Sequence, residues 1–311
     1  MLRHFYTRLL VTGIAVWCIF APASSLFAAD AEEAEHTAEH GVSIFAEPAF
    51  PTAKYLTNSI VVAFIVTVIL LVLSRRATRR MQLIPKGTQN VFEALVEGLY
   101  NTLEGIVGKH LIARTFPLLA TLFIYILASN WFGLLPGVGT VGFGVRSGPL
   151  ALSEVTNPIL RSASADLNMT LALAGLFMVI WFYWTMVVTG PVAFLKEQFG
   201  PKGGVTGVLK VILIPIFFFV GIIEVISTSF RLVSLSMRLY GNMFAGENLL
   251  HTMSTLGDKL PLPLAYLSSI VLPLPFYFLE LLVGLIQALV FMLLCAVYVQ
   301  LSTSHEGEEE H

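Results

Sequence analysis

The sequence predicts an all-α, polytopic membrane protein with about five to six membrane helices. Of its 311 residues, 56% are hydrophobic and only 12% are charged, whereas soluble domains carry about 25% charged residues. The mean hydropathy is +0.80, and the apolar residues form runs of the ~20 residues that a helix needs to cross a bilayer. The chain must therefore bury most of its surface in lipid or in partner subunits, which excludes a soluble enzyme.

Charge, cysteine content and motifs exclude further classes. The formal net charge is −2, and the basic residues are dispersed around apolar segments, so no stripe for nucleic acid is present. Cys18 lies in a predicted leader and Cys295 in an apolar run, so we expect no disulfide framework, metal cluster or cofactor. The sequence has no Walker A loop, His-Glu-x-x-His or Gly-x-Ser-x-Gly motif, so nucleotide chemistry must take place on another polypeptide.

The N-terminal region predicts a leader followed by a polar segment. Residues 1–31 contain two arginines, an apolar run at 9–20 and small residues near their end, which is typical of a secretory signal peptide. An additional anchor helix is the alternative, although the run is short for a span. The following segment, 32–54, is acidic at its start and contains His36 and His40. It is expected to be a solvated periplasmic tail, because no third metal ligand is in view.

The first membrane helix is predicted at 55–73. A basic cluster follows it directly, and the positive-inside rule places that end in the cytoplasm and the mature N-terminus in the periplasm; the cluster consists of Arg75, Arg76, Arg79, Arg80 and Lys86. Residues 90–107 carry apolar side chains on one side and three glutamates among the rest. This pattern predicts an amphipathic helix at the cytoplasmic interface.

The next two spans are predicted at 115–135 and 167–189. Between them, 136–163 is rich in Gly, Pro and Ser and is expected to form a periplasmic loop. Asp166 comes just before the third span, which favours a helix N-cap. A role in ion access, together with Asn168, is the alternative.

Two long apolar stretches remain, at about 205–256 and 262–301. Both exceed the roughly 20 residues that cross a bilayer upright, and length alone does not choose between helical hairpins and long tilted helices. Either arrangement leaves the C-terminal tail in the cytoplasm. Residues 55–311 are therefore predicted to form a single membrane domain, with its long helices at 207–256 and 262–302.

Arg238 lies within sequence that is otherwise apolar enough to enter a bilayer. A guanidinium keeps its proton, and at the bilayer centre it costs about 3 kcal/mol or more, so it is normally met by a counter-charge or by water. On a straight helix it shares a narrow stripe with other polar residues and lies about 180° from Glu247. The other members of the stripe are Glu224, Ser227, Arg231, Ser234 and Asn242.

The last apolar stretch carries three polar residues on one helical face. Glu280, Gln287 and Tyr298 are separated by seven and eleven residues. Interhelical hydrogen bonding accounts for Gln287 and Tyr298, as is common in membrane bundles, whereas the intramembrane carboxylate of Glu280 marks it as a functional candidate. His251, one turn beyond Glu247, either relays protons or meets water at the interface.

Four segments carry specific motifs: SLSMRLYGNMFAGE at 234–247, NWFGLLP at 130–136, SADLNMT at 164–170 and IQALVFMLLCAVYV at 286–299. Together they resemble the a subunit of F-type ATP synthases, whose signature is an arginine followed by a Gly-Asn pair and an Ala-Gly-Glu ending. The resemblance extends from about residue 90 to the C-terminus.

This resemblance implies a non-catalytic stator subunit of the bacterial inner membrane, with its long helices steeply tilted around a ring of c subunits. Protons would enter from the periplasm past Glu247 and Glu280, load a ring carboxylate, and leave by a second half-channel, with Arg238 between the two. Further residues implied on this route are Glu224, Ser234, Asn242, His251, Gln287 and Tyr298. The family position matching Glu280 is often histidine, so glutamate here keeps a titratable group.

The implied partners are the c ring, b-type peripheral stalk subunits, the catalytic head through that stalk, and lipid. A secondary transporter or channel is the main rival, in which Arg238, Glu247 and Glu280 would bind an anionic solute or a coupling ion. Inverted repeats would favour it, and the sequence contains none that is legible. An intramembrane enzyme would need a nucleophile and base, or an acidic metal motif, at membrane depth, and neither is legible.

Overall fold

The computed structural model describes residues 57–79, 87–135, 138, 142–145, 154–191, 194, 198–199, 208–256 and 264–304. The predicted signal peptide at 1–31, the predicted N-terminal segment at 32–54 and the charged tail after residue 304 lie outside the described residues. Arg80 and Lys86 of the basic cluster lie outside them too.

The described residues form seven α-helices and one small hairpin. The helices are α1 (Asn58–Thr78), α2 (Thr88–Val107), α3 (Lys109–Gly133), α4 (Leu167–Thr189), α5 (Val208–Thr255), α6 (Leu264–Val271) and α7 (Pro273–Ser304). Five helical segments of this part of the chain are long and apolar enough to cross a membrane; they lie in α1, α3, α4, α5 and the α6–α7 pair. The prediction of an all-α polytopic membrane protein is confirmed.

The first two helices follow the predicted pattern. Helix α1 begins at Asn58 and extends to Thr78, so Arg75 and Arg76 lie in its last turn, where cations interact favourably with the helix dipole. Helix α2 is amphipathic as predicted. Its buried face consists of Leu99, Leu103 and Val107 and contacts α3 and α7.

Gly108 separates α2 from α3. Its φ of 83° lies in the left-handed region, which glycine adopts without the steric cost that a β-carbon brings. Helix α3 then starts at Lys109, six residues before the predicted span at 115–135. The chain changes direction at Gly108, and α3 follows without a further loop, which is why it starts earlier than predicted.

The predicted loop at 136–163 contains an antiparallel hairpin, which the sequence analysis missed. Strand β1 (Gly142–Val145) pairs with β2 (Glu154–Pro158), with Val145 opposite Glu154. β-Branched residues at 145, 155 and 156 favour strands, but the many glycines around them obscured the pattern. A 3₁₀ turn at Ala163–Ala165 then leads into α4.

The core forms where α3 meets α7. These two helices make the most extensive contact in the described part of the chain, and α4 packs against α5 and α7 beside them. The residues without exposed surface at this centre include Leu119, Ala120, Phe177, Ala288, Phe291 and Met292. Small side chains such as Ala120 and Ala288 let the helix backbones approach closely, as is typical of membrane bundles.

Helix α5 is a single helix of 48 residues. Its length, ~72 Å at 1.5 Å per residue, is more than twice the ~30 Å hydrocarbon core of a bilayer. Only 6% of its apolar window is buried, against 50% for α3, so α5 lies at the edge of the bundle with much of its surface open. The structure therefore has one long helix over the first of the two long stretches.

The second long stretch is interrupted. Helix α6 ends at Val271 and α7 begins at Pro273, so the helix predicted over 262–302 is not continuous. The cause is local, because a proline disfavours helical backbone in the residue before it, which here is Leu272. Beyond the break, α7 continues for 32 residues.

Candidate functional site

The predicted polar stripe lies on the open face of α5. Arg238, Ser234, Ser227 and Asn242 are exposed, while Glu224 and Arg231 are partly buried. Within the described residues, Arg238 has neither a hydrogen bond nor an ion pair. A permanent cation thus projects from the outer face of the bundle, where a partner or lipid would meet it.

One edge of the stripe is tied to α7 by a hydrogen bond. Asn242 donates from Nδ2 to Oε1 of Gln287 across 2.6 Å, and the Gln287 side chain is buried. This confirms the interhelical hydrogen bonding predicted for Gln287. Its Nε2 has no hydrogen-bond partner within the part of the chain that the structure describes, which leaves a buried donor beside Asn242, the residue one helical turn from Arg238 on α5.

Tyr298 takes part in an interhelical hydrogen bond, as predicted, but through its backbone, while its ring makes a second contact. The guanidinium of Arg231 lies 5.0 Å from the centre of the Tyr298 ring, a cation–π arrangement. The backbone carbonyl of Tyr298 accepts a hydrogen bond of 3.0 Å from Nε1 of Trp181. The residue therefore joins α4, α5 and α7 through its ring face and its backbone.

The opposite side of α5 carries an ion pair. Nε of Arg161 lies 3.3 Å from Oε2 of Glu247, and only 2% of the arginine is exposed. Arg161 lies between the hairpin and the 3₁₀ turn, in a segment that we predicted to be a simple loop. A lone arginine five residues before Asp166 was the available signal, but its partner lies 86 positions away and no sequence pattern joins them.

Asp166 caps α4. Its Oδ1 accepts a hydrogen bond of 3.1 Å from the backbone N–H of Asn168, and the residue is buried. The N-cap interpretation is confirmed. Asp166 also interacts electrostatically with Tyr240 on α5, as do Arg161 and Glu247, so the start of α4 faces the inner side of α5.

Glu280 lies against the backbone of α5. A β-carbon built at Gly246 would overlap the carboxyl group of Glu280, so the absence of a side chain at 246 makes this approach possible. Glu280 is only 3% exposed, and its Oε1 has no hydrogen-bond partner within the described residues. The inner face of α5 therefore meets one acid at Gly246 and carries the other at the next position.

The remaining predicted residue on this side is His251. It is exposed, one turn beyond Glu247, and interacts electrostatically with that carboxylate. Asn168 is partly buried at the start of α4. No group of three or more potential metal ligands occurs within the described residues.

The NWFGLLP motif holds α7 in register with α3. Asn130 donates from Nδ2 to the carbonyl of Gly284 at 3.0 Å, and Trp131 donates from Nε1 to the carbonyl of Leu281 at 3.2 Å. Gly284 allows this approach, because a β-carbon there would lie 3.2 Å from that of Asn130. The motif thereby fixes the α7 segment that carries both Glu280 and Gln287.

Comparison with known proteins decides the family. The sequence model described as "ATP synthase A chain" matches residues 57–300. The chain belongs to this family. The match includes every candidate residue named above, and the family prediction made from the four motifs is confirmed.

Individual relatives agree. The chain is 36% identical over 247 residues to ATP synthase subunit a of Trichlorobacter lovleyi, covering 78% of this chain and 86% of that protein. It is 33% identical over 252 residues to ATP synthase subunit a of a Geobacter species, covering 80% and 88%. With the counterpart from Campylobacter fetus the identity is 32% over 261 residues, covering 84% and 93%.

Family membership assigns the chain to the membrane sector of an ATP synthase, in place of the transporter and intramembrane-enzyme alternatives. Together with the five apolar helical segments, it makes this a multi-pass membrane protein. Helix α5 therefore borders two separate polar regions. One is its outward stripe with Arg238, and the other is the inner cluster, which consists of Glu247, its partner Arg161, and Glu280 against Gly246.

Proposed function

We propose that this chain is the stator subunit that gives protons access to a rotating ring of c subunits through two offset half-channels. Proton flow across the membrane is thereby coupled to ATP synthesis, which takes place on other subunits. The observation that carries the proposal is the two-sided polarity of α5. Arg238 projects outward on one face, and Glu247 lies on the inner face beside Gly246 and Glu280.

The outward face of α5 suits a partner that supplies negative charge. A bare guanidinium facing lipid is costly, and no counter-charge within the described residues reaches Arg238. A carboxylate on each ring subunit meets this need as it passes. The fixed positive charge of Arg238 favours the ionised form of that carboxylate and repels a proton crossing directly from one half-channel to the other.

The inner face suits proton uptake. Glu280 lies against Gly246 and Glu247 follows it in the chain. The buried Oε1 of Glu280 has no hydrogen-bond partner in the described residues, so it retains the capacity to bind an incoming proton or to accept a hydrogen bond from a water molecule. We assign Glu247 and Glu280 to the periplasmic half-channel, with Asp166 and Asn168 near its mouth and His251 beyond it. Glutamate at 280 serves as the proton carrier where family members often have histidine.

Polar residues lie between the outward face of α5 that carries Arg238 and the inner face that carries Glu247. The Asn242–Gln287 hydrogen bond lies one turn from Arg238, so a proton passing from the inner acids to the ring meets amide groups there. Ser234, Glu224 and Tyr298 continue the polar surface toward the other end of α5, and we assign them to the cytoplasmic half-channel.

The surroundings follow from this role. The length of α5, ~72 Å, is accommodated by steep tilt against the ring. We place the protein in the bacterial inner membrane with its mature N-terminus in the periplasm and its C-terminus in the cytoplasm. The b-type peripheral stalk subunits hold it fixed relative to the catalytic head.

The test is Arg238→Ala in the complete complex, reconstituted in vesicles. We expect proton-driven ATP synthesis and ATP-driven proton pumping to be lost, while the complex assembles and the detached head hydrolyses ATP normally. The matched control is Arg76→Ala, an exposed arginine in the last turn of α1 and outside the proposed proton route; it should retain most of the pumping. ATP synthesis near the wild-type rate in Arg238→Ala would overturn the proposal.

A further inference from the structure

Arg161 is a deeply buried basic side chain that contacts Glu247 on the inner face of α5. Only 2% of it is exposed, compared with 27% of the Glu247 side chain to which it binds. A guanidinium cannot become neutral in such a place. A negative charge opposite the guanidinium stabilises this burial, and the ionised carboxylate of Glu247 supplies one.

The contact engages one oxygen of the carboxylate. Nε of Arg161 donates to Oε2 of Glu247, whereas no hydrogen bond from the described residues reaches Oε1. A side-on, bidentate pair would occupy both oxygens. The observed single contact orients the carboxylate and leaves one oxygen free to exchange a proton.

The two partners come from separate parts of the fold. Glu247 lies on α5, while Arg161 belongs to the segment between the hairpin and the 3₁₀ turn that leads into α4. That segment is anchored in the bundle, because Ser162 contacts the backbone of Ser129 on α3 and Asp166 caps α4. The backbone that carries Arg161 is thus held in place, so its guanidinium can orient the Glu247 carboxylate.

We propose that Arg161 is a positioning residue for proton transfer, holding Oε2 of Glu247 so that Oε1 alone takes up and releases the proton. This inference rests on the proton route proposed above. A proton arriving from water bonds to Oε1 and neutralises the carboxylate; on its departure the O–H bond breaks and the negative charge returns opposite Arg161. The other titratable groups that interact with this carboxylate are Tyr240 and His251; Asp166 interacts with Tyr240, and the carboxyl group of Glu280 lies against the neighbouring Gly246.

The experiment compares Arg161→Gln, Arg161→Lys and Glu247→Gln in the complete reconstituted complex. Arg161→Gln should lower proton-driven ATP synthesis at least about tenfold, the scale expected when a charged group that orients a reacting side chain is lost. Arg161→Lys keeps the charge and should restore a substantial part of the rate. A purely structural role would not distinguish these two variants by charge.

A spectroscopic signature separates positioning from folding. In Arg161→Gln, infrared difference spectra at neutral pH should gain the carbonyl stretch of a neutral carboxylic acid, because Glu247 has lost the cation that favours its ionised form. The band must disappear in the double variant Arg161→Gln with Glu247→Gln, which assigns it to Glu247. Wild-type rates and no such band in Arg161→Gln would overturn the inference.

Failure to assemble is also informative. If Arg161→Gln does not accumulate, the double variant should, because the uncompensated carboxylate that its partner left behind is gone; continued absence of the double variant contradicts the inference. The result for Glu247→Gln separates this inference from the proposed function. Full coupling in Glu247→Gln sinks the proton route itself, whereas a dead Glu247→Gln beside a fully active Arg161→Gln sinks only the role of Arg161.

Discussion

The carboxyl group of Glu280 occupies the space that a side chain at Gly246 would need. This contact joins α7 to α5 at the position before Glu247, and the absence of a β-carbon at 246 is a condition for the position of the Glu280 carboxyl group. Glycine in a helix interior is otherwise unfavourable by about 1 kcal/mol relative to alanine. The low helix propensity of Gly246 is therefore accompanied by a structural benefit, because it lets the carboxyl group of Glu280 approach the backbone of α5.

Gly246→Ala should displace Glu280 and impair proton transport. An added methyl group in a filled space typically costs about 1–3 kcal/mol, so we expect lower thermal stability of the complex together with a loss of ATP-driven proton pumping. The matched control is Gly105→Ala on α2, where nothing lies within 4 Å of the added β-carbon. Unchanged pumping in Gly246→Ala would mean that the close approach of Glu280 has no part in transport.

Arg238→Lys should fail almost as completely as Arg238→Ala. Lysine can lose its proton in an apolar setting and lacks the planar guanidinium that matches a carboxylate. Proton-driven ATP synthesis in reconstituted vesicles measures the effect, and native electrophoresis checks assembly. Wild-type synthesis in the lysine variant would show that a positive charge alone is sufficient at this position.

Substitutions at Asp166 separate its two possible roles. Asp166→Asn keeps an oxygen that can accept from the N–H of Asn168 and so preserves the cap, whereas Asp166→Ala removes it at a cost of about 1 kcal/mol. If Asp166 only caps α4, the asparagine variant should assemble and pump like wild type. If it also conducts ions, the asparagine variant should assemble normally yet pump slowly.

Membrane topology can be measured at the C-terminal ends of α1 and α3, which are predicted to lie on opposite sides of the membrane. A cysteine in place of Arg79, at the end of α1, should be labelled from the cytoplasmic side of sealed vesicles. A cysteine in place of Leu135, just beyond α3 and 52% exposed, should be labelled from the periplasmic side. The reverse pattern would invert the orientation proposed for the whole chain.

Several features could be predicted from sequence because they depend on local chemistry. Hydrophobic runs identified the membrane spans. Apolar residues at helical spacing, with glutamates on the remaining faces, predicted the amphipathic helix α2, and Asp166 before an apolar run predicted the cap of α4. The placement of Arg238 and Glu247 on opposite faces followed from the helical period alone, since α5 continues unbroken through Gly241 and Gly246. The break before Pro273 was also within reach, because the rule for residues preceding proline is local.

Other features were decided only by the tertiary structure. Whether 205–256 forms one helix or a hairpin depends on what the chain packs against, and its length permits either. The pairing of Arg161 with Glu247 joins positions that are 86 residues apart, and the contact of Glu280 with Gly246 depends on how α7 is held by Asn130 and Trp131. Periodicity determines which face of a helix a residue occupies, but only packing determines which residue of another helix meets it there.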